Sequence, residues 1–545
     1  MTEAVARGVS RRMLLAVALV AIVVYLPSIF NGFAYDDIAV VQNDARIHTL
    51  KNLAKVFAQP YWADRGREFA IYRPLTSFSF AIDWFVSRGY PMWFHIVNVL
   101  WHAGACVLLL LVLAELFPPV AALAGALLFA VHPVHVEAVA NVVGRAELMS
   151  AAFSLAAALV WLRAGGRLRP LAALAVAALY ALAMLAKESA ATLPAVLVLL
   201  DAARGEWSLR PSSLAAYLRR RGPALLLLAL ALAGEMAARQ AVIGRVGPAI
   251  VDPIFDVAAS GADRVRTALS AWPVFLRILF FPRVLLADYA PRISMPALHW
   301  TAGAIAGAAL LAGCVVGGFV ALARGRGRTA LGLLWFPVTI LPVSNLLFAT
   351  GIFIAERTLY MPSVALSIGF AGLAALALEA RWAADWRVLA AAAAPLMLVL
   401  TARTIVREPE WRDTVTIFAA LDRDAPEAFR VQWDLARRAR RKGNKLDAAT
   451  HFARALELWP SRMALVVEAG QNAVELGWTE YARALAAMAQ SRWPHDPSVR
   501  RLVAAAAKGR PGRSSRPRMA APAGPRPPGR RADVGGGDAG SPPRL

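Results

Sequence analysis

Mostly apolar runs of about 17–23 residues, the length that crosses a hydrocarbon core, recur between Met13 and Thr404, broken by short polar stretches. The first run, Met13–Phe30, follows Arg11 and Arg12. It is read as an uncleaved span, because no small-residue cleavage site follows. Further spans are predicted near 94–115, 119–134, 147–163, 170–186, 189–202 and 222–240. Four more fall near 301–323, 330–349, 359–380 and 386–404. Thr76–Val86 is too short to cross and is expected on or in the interface. Leu269–Leu286 is apolar enough to cross, but a lone crossing would move Arg324–Arg328 to the outer side. It is therefore expected as a re-entrant or interfacial hairpin within a long external loop, about 241–300. About eleven spans result.

The basic loops orient these spans. Arg7, Arg11 and Arg12, Arg163–Arg169, Arg219–Arg221 and Arg324–Arg328 all fall on one side, which the positive-inside rule makes cytoplasmic. The expected location is the inner cell membrane, with the N-terminus inside and the alternate loops and the C-terminal region outside.

After Arg407 the pattern changes to that of a soluble helical domain. Pro426, Pro460 and Pro494 are spaced by 34 residues, as are Gly443 and Gly477. Leu435, Ala448, Phe452, Ala455 and Pro460 fit the small, aromatic and terminal-proline positions of a tetratricopeptide repeat. Gly470, Ala482, Ala489 and Pro494 fit a second copy, and Trp411, Phe418 and Pro426 fit the second half of a preceding one. From Lys508 the chain is rich in Arg, Pro and Gly and is expected to be disordered.

Composition sharpens this picture. Of 545 residues, 58% are hydrophobic and only 17% charged, with mean hydropathy +0.51. Soluble chains carry more charge than this. The net charge of +23 lies largely in short loops and the tail, so it reads as topology and lipid contact. No motif points to nucleic acid. Cys106 and Cys314 lie in apolar runs and read as small core residues, with no disulfide framework or cysteine metal site.

The outer ends of the spans gather the chemistry. Asp36 and Asp37 follow the first span. If such a pair is buried, the two repel and one pKa rises, which equips a carboxylate to take a proton from an alcohol. The other external loops carry Arg73, then His132, His135, Glu137, Arg145 and Glu147, then Lys187 and Glu188, Asp288, and Glu356 with Arg357. Ionisable residues at membrane depth are costly and usually functional. Arg73, Arg145, Lys187 and Arg357 can hold a phosphate, with arginine offering two-pronged geometry. One base and a stabilised phosphate leaving group suit direct, inverting displacement at an anomeric carbon. His132, His135 and Glu137 lack the helical spacing of a zinc motif, and Pro133 breaks a regular helix there. They are expected to make hydrogen bonds or touch substrate, without a metal. His95, Asn98 and His102 share one helix face, and His102 is expected to bond between helices.

These stretches resemble a known family. Phe33–Asp37, Tyr72–Thr76, Phe94–His102, Leu128–Glu147, Ala186–Glu188, Ala287–Tyr289 and Glu356–Pro362 are similar to the transmembrane O-mannosyltransferases with tetratricopeptide repeats and their bacterial relatives. These are GT-C-class, polyprenyl-phosphate-sugar-dependent glycosyltransferases. With the repeats, the likeness covers roughly residues 13–500. It implies a GT-C membrane fold with an active site at the outer face and a lipid-linked sugar donor. It also implies that Asp36-Asp37 supplies the base, with Asp36 favoured. Arg145 and Arg357 are the chief candidates to contact the donor phosphate. The repeat array is shorter than in the animal enzymes, so their mannose donor and cadherin acceptors do not carry over.

The expected fold class is all-α: a polytopic GT-C-type helical bundle followed by a short tetratricopeptide-repeat domain. The expected division is 1–12 cytoplasmic, 13–404 transmembrane transferase, 405–507 repeats and 508–545 tail. The expected function is transfer of a hexose, mannose-like as a first guess, from polyprenyl phosphate to a hydroxyl of an exported protein recruited by the repeats. No tightly bound cofactor is expected, and the expected partners are membrane lipid, the lipid-linked sugar and the acceptor peptide. The alternatives are an envelope lipid or glycan acceptor, and a non-enzymatic scaffold.

Overall fold

The computed structural model describes residues 8–508 apart from 63–69, 167, 246, 248–251, 257–259, 290–294, 381–385 and 461. The expectations for Arg7, Arg167 and the tail beyond Lys508 lie outside the described residues. Every regular element among those residues is helical. The first half contains α1 (Arg11–Val24), α2 (Pro74–Ser87), α3 (Pro91–Ala114), α4 (Pro119–Val131), α5 (Val136–Ala140), α6 (Arg145–Arg163), α7 (Pro170–Ala186), α8 (Leu193–Ala203) and α9 (Pro211–Ile243). Then come α10 (Pro253–Asp256), α11 (Gly261–Phe280), α12 (Ala302–Ala323), α13 (Gly327–Ile340), α14 (Val364–Glu379), α15 (Trp386–Arg407) and α16 (Thr414–Asp424). The last are α17 (Phe429–Arg441), α18 (Lys445–Leu458), α19 (Met463–Glu475), α20 (Thr479–Arg492) and α21 (Pro497–Lys508).

Proline sets many of these boundaries. Pro74, Pro91, Pro119, Pro170 and Pro211 each open a helix, where the missing N–H is no loss. Pro27 has the opposite effect on the first apolar run. α1 stops at Val24, and Leu26–Phe30 tightens into a 3₁₀ turn.

Among the described residues, five helical segments are long and apolar enough to cross a membrane: Pro91–Ala114, Val142–Arg163, Pro211–Ile243, Ala302–Ala323 and Trp386–Trp411. A sixth arises if α4 and Pro133–Ala140, bent by 48°, count as one span. The other predicted spans are shorter helices, from 11 residues in α8 to 17 in α7. A 14-residue helix such as α1 is about 21 Å long, against a core of about 30 Å. The turns Leu26–Phe30, Glu188–Thr192 and Leu341–Val343 adjoin four of these short helices, α1, α7, α8 and α13.

The segment 269–286 forms no hairpin. Ser260 caps α11 through reciprocal hydrogen bonds with Asp263, and the helix runs unbroken to Phe280 before the chain turns at Pro282. The cap lies upstream of the apolar run, so the run read alone mistook the C-terminal part of a longer helix for a separate element. Trp272 and Phe275 of α11 pack on Phe336 of α13.

The core is built around α3 and α6. α3 buries His95, Asn98, His102, Cys106, Leu109 and Leu113 along one stripe. α6 is buried around most of its circumference and is rich in alanine, which lets neighbouring backbones approach closely. His102 bonds between helices, to the Tyr360 hydroxyl at 2.7 Å and the Ala130 carbonyl at 3.3 Å.

The described chain divides into two compact units between Asp434 and Leu435. From α17, which straddles this boundary, helices recur with a fixed step. α17, α19 and α21 begin at Phe429, Met463 and Pro497, and α18 and α20 at Lys445 and Thr479, each 34 residues after the last of its set. Gly443 and Gly477 follow α17 and α19 with φ of +81° and +73°, the left-handed closure that glycine adopts without strain. Ala448, Phe452 and Ala455 of α18 and Ala482, Leu485 and Ala489 of α20 are buried. Arg437 pairs with Glu468 at 2.6 Å, but exposed pairs of this kind contribute little. Burial of the small residues holds the unit together.

Candidate functional site

A strained turn presents the two aspartates. Tyr35 has φ +54°, an uncommon region for an aromatic residue. Its N–H donates to Thr414 Oγ1 at 2.9 Å, and its ring lies 6.2 Å from that of Phe418. Beyond it the neighbouring carboxylates have different surroundings. Asp37 is fully buried. It accepts backbone N–H groups from Ala34 (3.2 Å), Val142 (3.3 Å) and Val143 (2.8 Å). Asp36 stays open, with its side chain 23% exposed and 3.5 Å from the Arg357 guanidinium.

Burial raises the Asp37 pKa to about 7 against its three backbone donors, and the nearby Asp36 charge adds to the rise. The folded protein therefore keeps this proton where the unfolded chain has released it. Stability from this group is fullest below about pH 4 and declines as the pH rises through about 7. The melting-temperature difference, wild type minus Asp37→Asn, is expected to fall between pH 4.5 and 7.5. A flat difference across that range would contradict the assignment.

Arg357 joins Asp36 to Glu137. Its backbone N–H and Nη1 donate to the buried Glu137 carboxylate at 2.9 and 2.7 Å. Burial acts to lower the Arg357 pKa, but Glu137 and Asp36 outweigh it and hold the guanidinium firmly charged. The fields of Arg73 and Glu147 also reach it. Arg73 donates through Nε and Nη2 to Glu188 at 2.9 and 2.5 Å, and Lys187 pairs with Glu147. Burial lowers the Lys187 pKa, and the Glu147 charge works against that fall. The structure thus places Asp36, Arg357, Glu137, Arg73, Glu188, Lys187 and Glu147 in one electrostatically connected cluster.

Other residues singled out in the sequence turn elsewhere. Arg145 is fully buried. It donates to Asn98 (2.7 Å), Ser79 (3.3 Å), the Phe94 carbonyl (2.8 Å) and Asp83. Four of the five N–H groups of a guanidinium are thereby engaged. Glu356 is held by Arg407 at 2.9 Å, the Tyr289 hydroxyl at 2.8 Å and the Leu286 N–H at 2.6 Å. Asp288 pairs with Arg430. His135 bonds to the Phe129 carbonyl and Ser363 hydroxyl, and His132 to the Leu279 carbonyl and Val134 N–H. No group of three or more His, Cys, Asp or Glu side chains is arranged as a metal site among the described residues.

Gly144 permits the turn that carries the Asp37 donors into α6. A Cβ there would stand 2.2 Å from the Ala138 carbonyl oxygen. Gly144→Ala is expected to lower stability by about 1–3 kcal/mol, read as a lower melting temperature in detergent. An unchanged value would show that the turn gives way freely.

Beside the Lys187–Glu147 pair lies a small pocket of about 20 Å³. Glu147, Ser150, Ser154 and Thr192 give it polar walls, and Leu193 and Met361 apolar ones. Sequence reasoning missed Asp83, Arg407 and Arg430. A lone carboxylate within the apolar run Thr76–Val86 was the available signal for Asp83. Arg407 and Arg430 looked like ordinary charges near a domain boundary.

These features define an all-helical protein with several membrane-capable helices and a paired acid–cation cluster at helix ends. The chain is a relative of the TMTC-type protein O-mannosyl-transferases. It is 30% identical over 499 residues to Protein O-mannosyl-transferase TMTC4 of Homo sapiens, covering 80% of this chain and 65% of that protein. It is 26% identical over 515 residues to Protein O-mannosyl-transferase TMTC3 of Homo sapiens (86% and 54% covered). It is 25% identical over 461 residues to Protein O-mannosyl-transferase F38B6.6 of Caenorhabditis elegans (83% and 63% covered). The chain thus spans between about half and two thirds of the length of these curated relatives. No family model and no solved structure matches it.

Proposed function

We propose that the chain is an inverting glycosyltransferase that moves a hexose from a polyprenyl-phosphate donor to a hydroxyl of an exported protein. The shorter apolar helices would complete about eleven spans of a GT-C-type bundle. That puts the site on the outer face of the inner membrane, with residues 405–507 as repeats that recruit the acceptor. The single observation that carries this reading is the division of labour between the aspartates. Asp37 is tied down by three backbone N–H groups, whereas Asp36 is open and sits beside a cation.

In this mechanism Asp36 takes the acceptor hydroxyl proton as that oxygen attacks the anomeric carbon. The bond to the phosphate oxygen breaks, configuration inverts, and polyprenyl phosphate leaves. Arg73 and Arg357, each about one-sixth exposed, are the groups proposed to stabilise the departing phosphate. Arg145, enclosed by Asp83 and Asn98, is instead proposed to hold α2, α3 and α6 in place. The relatives named as protein O-mannosyl-transferases support a protein acceptor.

The test uses the full chain in liposomes, with polyprenyl-phosphate mannose or glucose as donor and a pool of exported-protein peptides as acceptor. A hexose mass gain is expected with the lipid-linked donor and none with the sugar nucleotide. Transfer from the nucleotide alone would overturn the donor assignment.

A further inference from the structure

Tyr61 buries a hydroxyl that no atom of the described residues satisfies. The residue is 3% exposed, and its hydroxyl has no hydrogen-bond partner among the described residues. An unmade hydrogen bond of this kind costs about 1–3 kcal/mol, and phenylalanine would fill the same space without that cost. The ring is nevertheless held firmly. Its backbone N–H donates to the Ile71 carbonyl at 2.8 Å. Its carbonyl accepts from Arg46 at 3.1 Å, and Asp44 in turn fixes Arg46.

The location gives this hydroxyl a purpose. The Arg73 guanidinium stands over the ring, 5.5 Å from its centre. The ring belongs to the same packed cluster as Val142 and Val143, whose amides hold Asp37. The charges of Arg73, Asp36, Asp37 and Arg357 all act on the phenol. Burial pushes its pKa well above the usual tyrosine range, so it remains a neutral donor. The phenol thus lies under a proposed phosphate contact and within the field of the proposed base, and it offers an uncharged donor to a ligand bound there. In a transfer reaction that ligand is the sugar.

We propose that the Tyr61 hydroxyl donates a hydrogen bond to a ring hydroxyl of the hexose being transferred, and so helps select the sugar. This assignment rests on the transferase reading above. It makes Tyr61 a substrate-binding residue that neither charge clustering nor helix ends point to.

The test compares the full-length wild type with Tyr61→Phe in liposomes, using polyprenyl-phosphate mannose and its monodeoxy analogues. Tyr61→Phe is expected to melt at or above the wild-type temperature, because it removes a buried hydroxyl that has no partner among the described residues. Its kcat/KM for the intact sugar is expected to fall about 10–100-fold. One monodeoxy donor is expected to show a similar loss with the wild type and little further loss with Tyr61→Phe. Wild-type transfer with an undiminished Tyr61→Phe would overturn the Tyr61 assignment and leave the transferase reading intact. So would equal, additive losses with every deoxy donor. A folded wild type that transfers nothing would overturn the functional reading, and this assignment with it.

Discussion

Asp36→Asn is expected to reduce sugar transfer by about 10²–10⁴-fold, the usual contribution of a positioned general base. The same substitution should leave folding nearly untouched. Asp36 is partly exposed, its ion pair with Arg357 is 3.5 Å long, and partly exposed pairs of this length contribute about 1 kcal/mol. Asp37→Ala should do the reverse. It removes the acceptor for three backbone N–H groups, each costing about 1–3 kcal/mol when buried and unpaired. The two positions are adjacent in sequence, so opposite outcomes would follow from their surroundings alone. Transfer rate and detergent melting temperature, measured on both variants, separate the roles. Equal loss of folding in both would place Asp36 in the scaffold.

A stability effect of comparable size is expected at Arg145. Arg145→Leu leaves the buried Asp83 carboxylate without its cation and the Asn98 carbonyl oxygen without a donor. Breaking a buried pair from one side costs about 3–5 kcal/mol. The guanidinium also stacks over Phe80, 4.8 Å from the ring centre, so packing is lost with the charge. Arg145→Lys is expected to recover only part of the loss, because an ammonium lacks the planar fork that reaches Asn98, Asp83 and Phe94 together. A lower melting temperature for both variants, ordered Leu below Lys, would fit a scaffold role. Unchanged melting with lost transfer would return Arg145 to the donor phosphate, where the sequence reading had put it.

These contrasts mark what the sequence could and could not reveal. The apolar runs identified most helices, because burial in lipid or protein demands unbroken apolar faces wherever it occurs. They could not set helix length. Pro27 shortens the first helix, and the Ser260–Asp263 cap begins α11 well before its apolar run. The clustering of charge at helix ends was legible, since ionisable groups are rare in such a chain. The pairing was not. Arg145 finds Asp83 across 62 residues and Arg357 finds Glu137 across 220, and no local pattern encodes those distances. Asp36 and Asp37 look alike in sequence. Only the left-handed turn at Tyr35 and the amides of Val142 and Val143 make them different. Tyr61 lay below notice because a tyrosine near an interface needs no explanation until its hydroxyl is found buried with no partner among the described residues.

The most direct test of the central claim is peptide mass gain from polyprenyl-phosphate hexose, measured for wild type and Asp36→Asn in the same liposomes after equal folding has been verified. The account predicts a hexose added by the wild type and almost none by Asp36→Asn. Equal transfer by the two proteins would contradict it and move the proton acceptor away from Asp36.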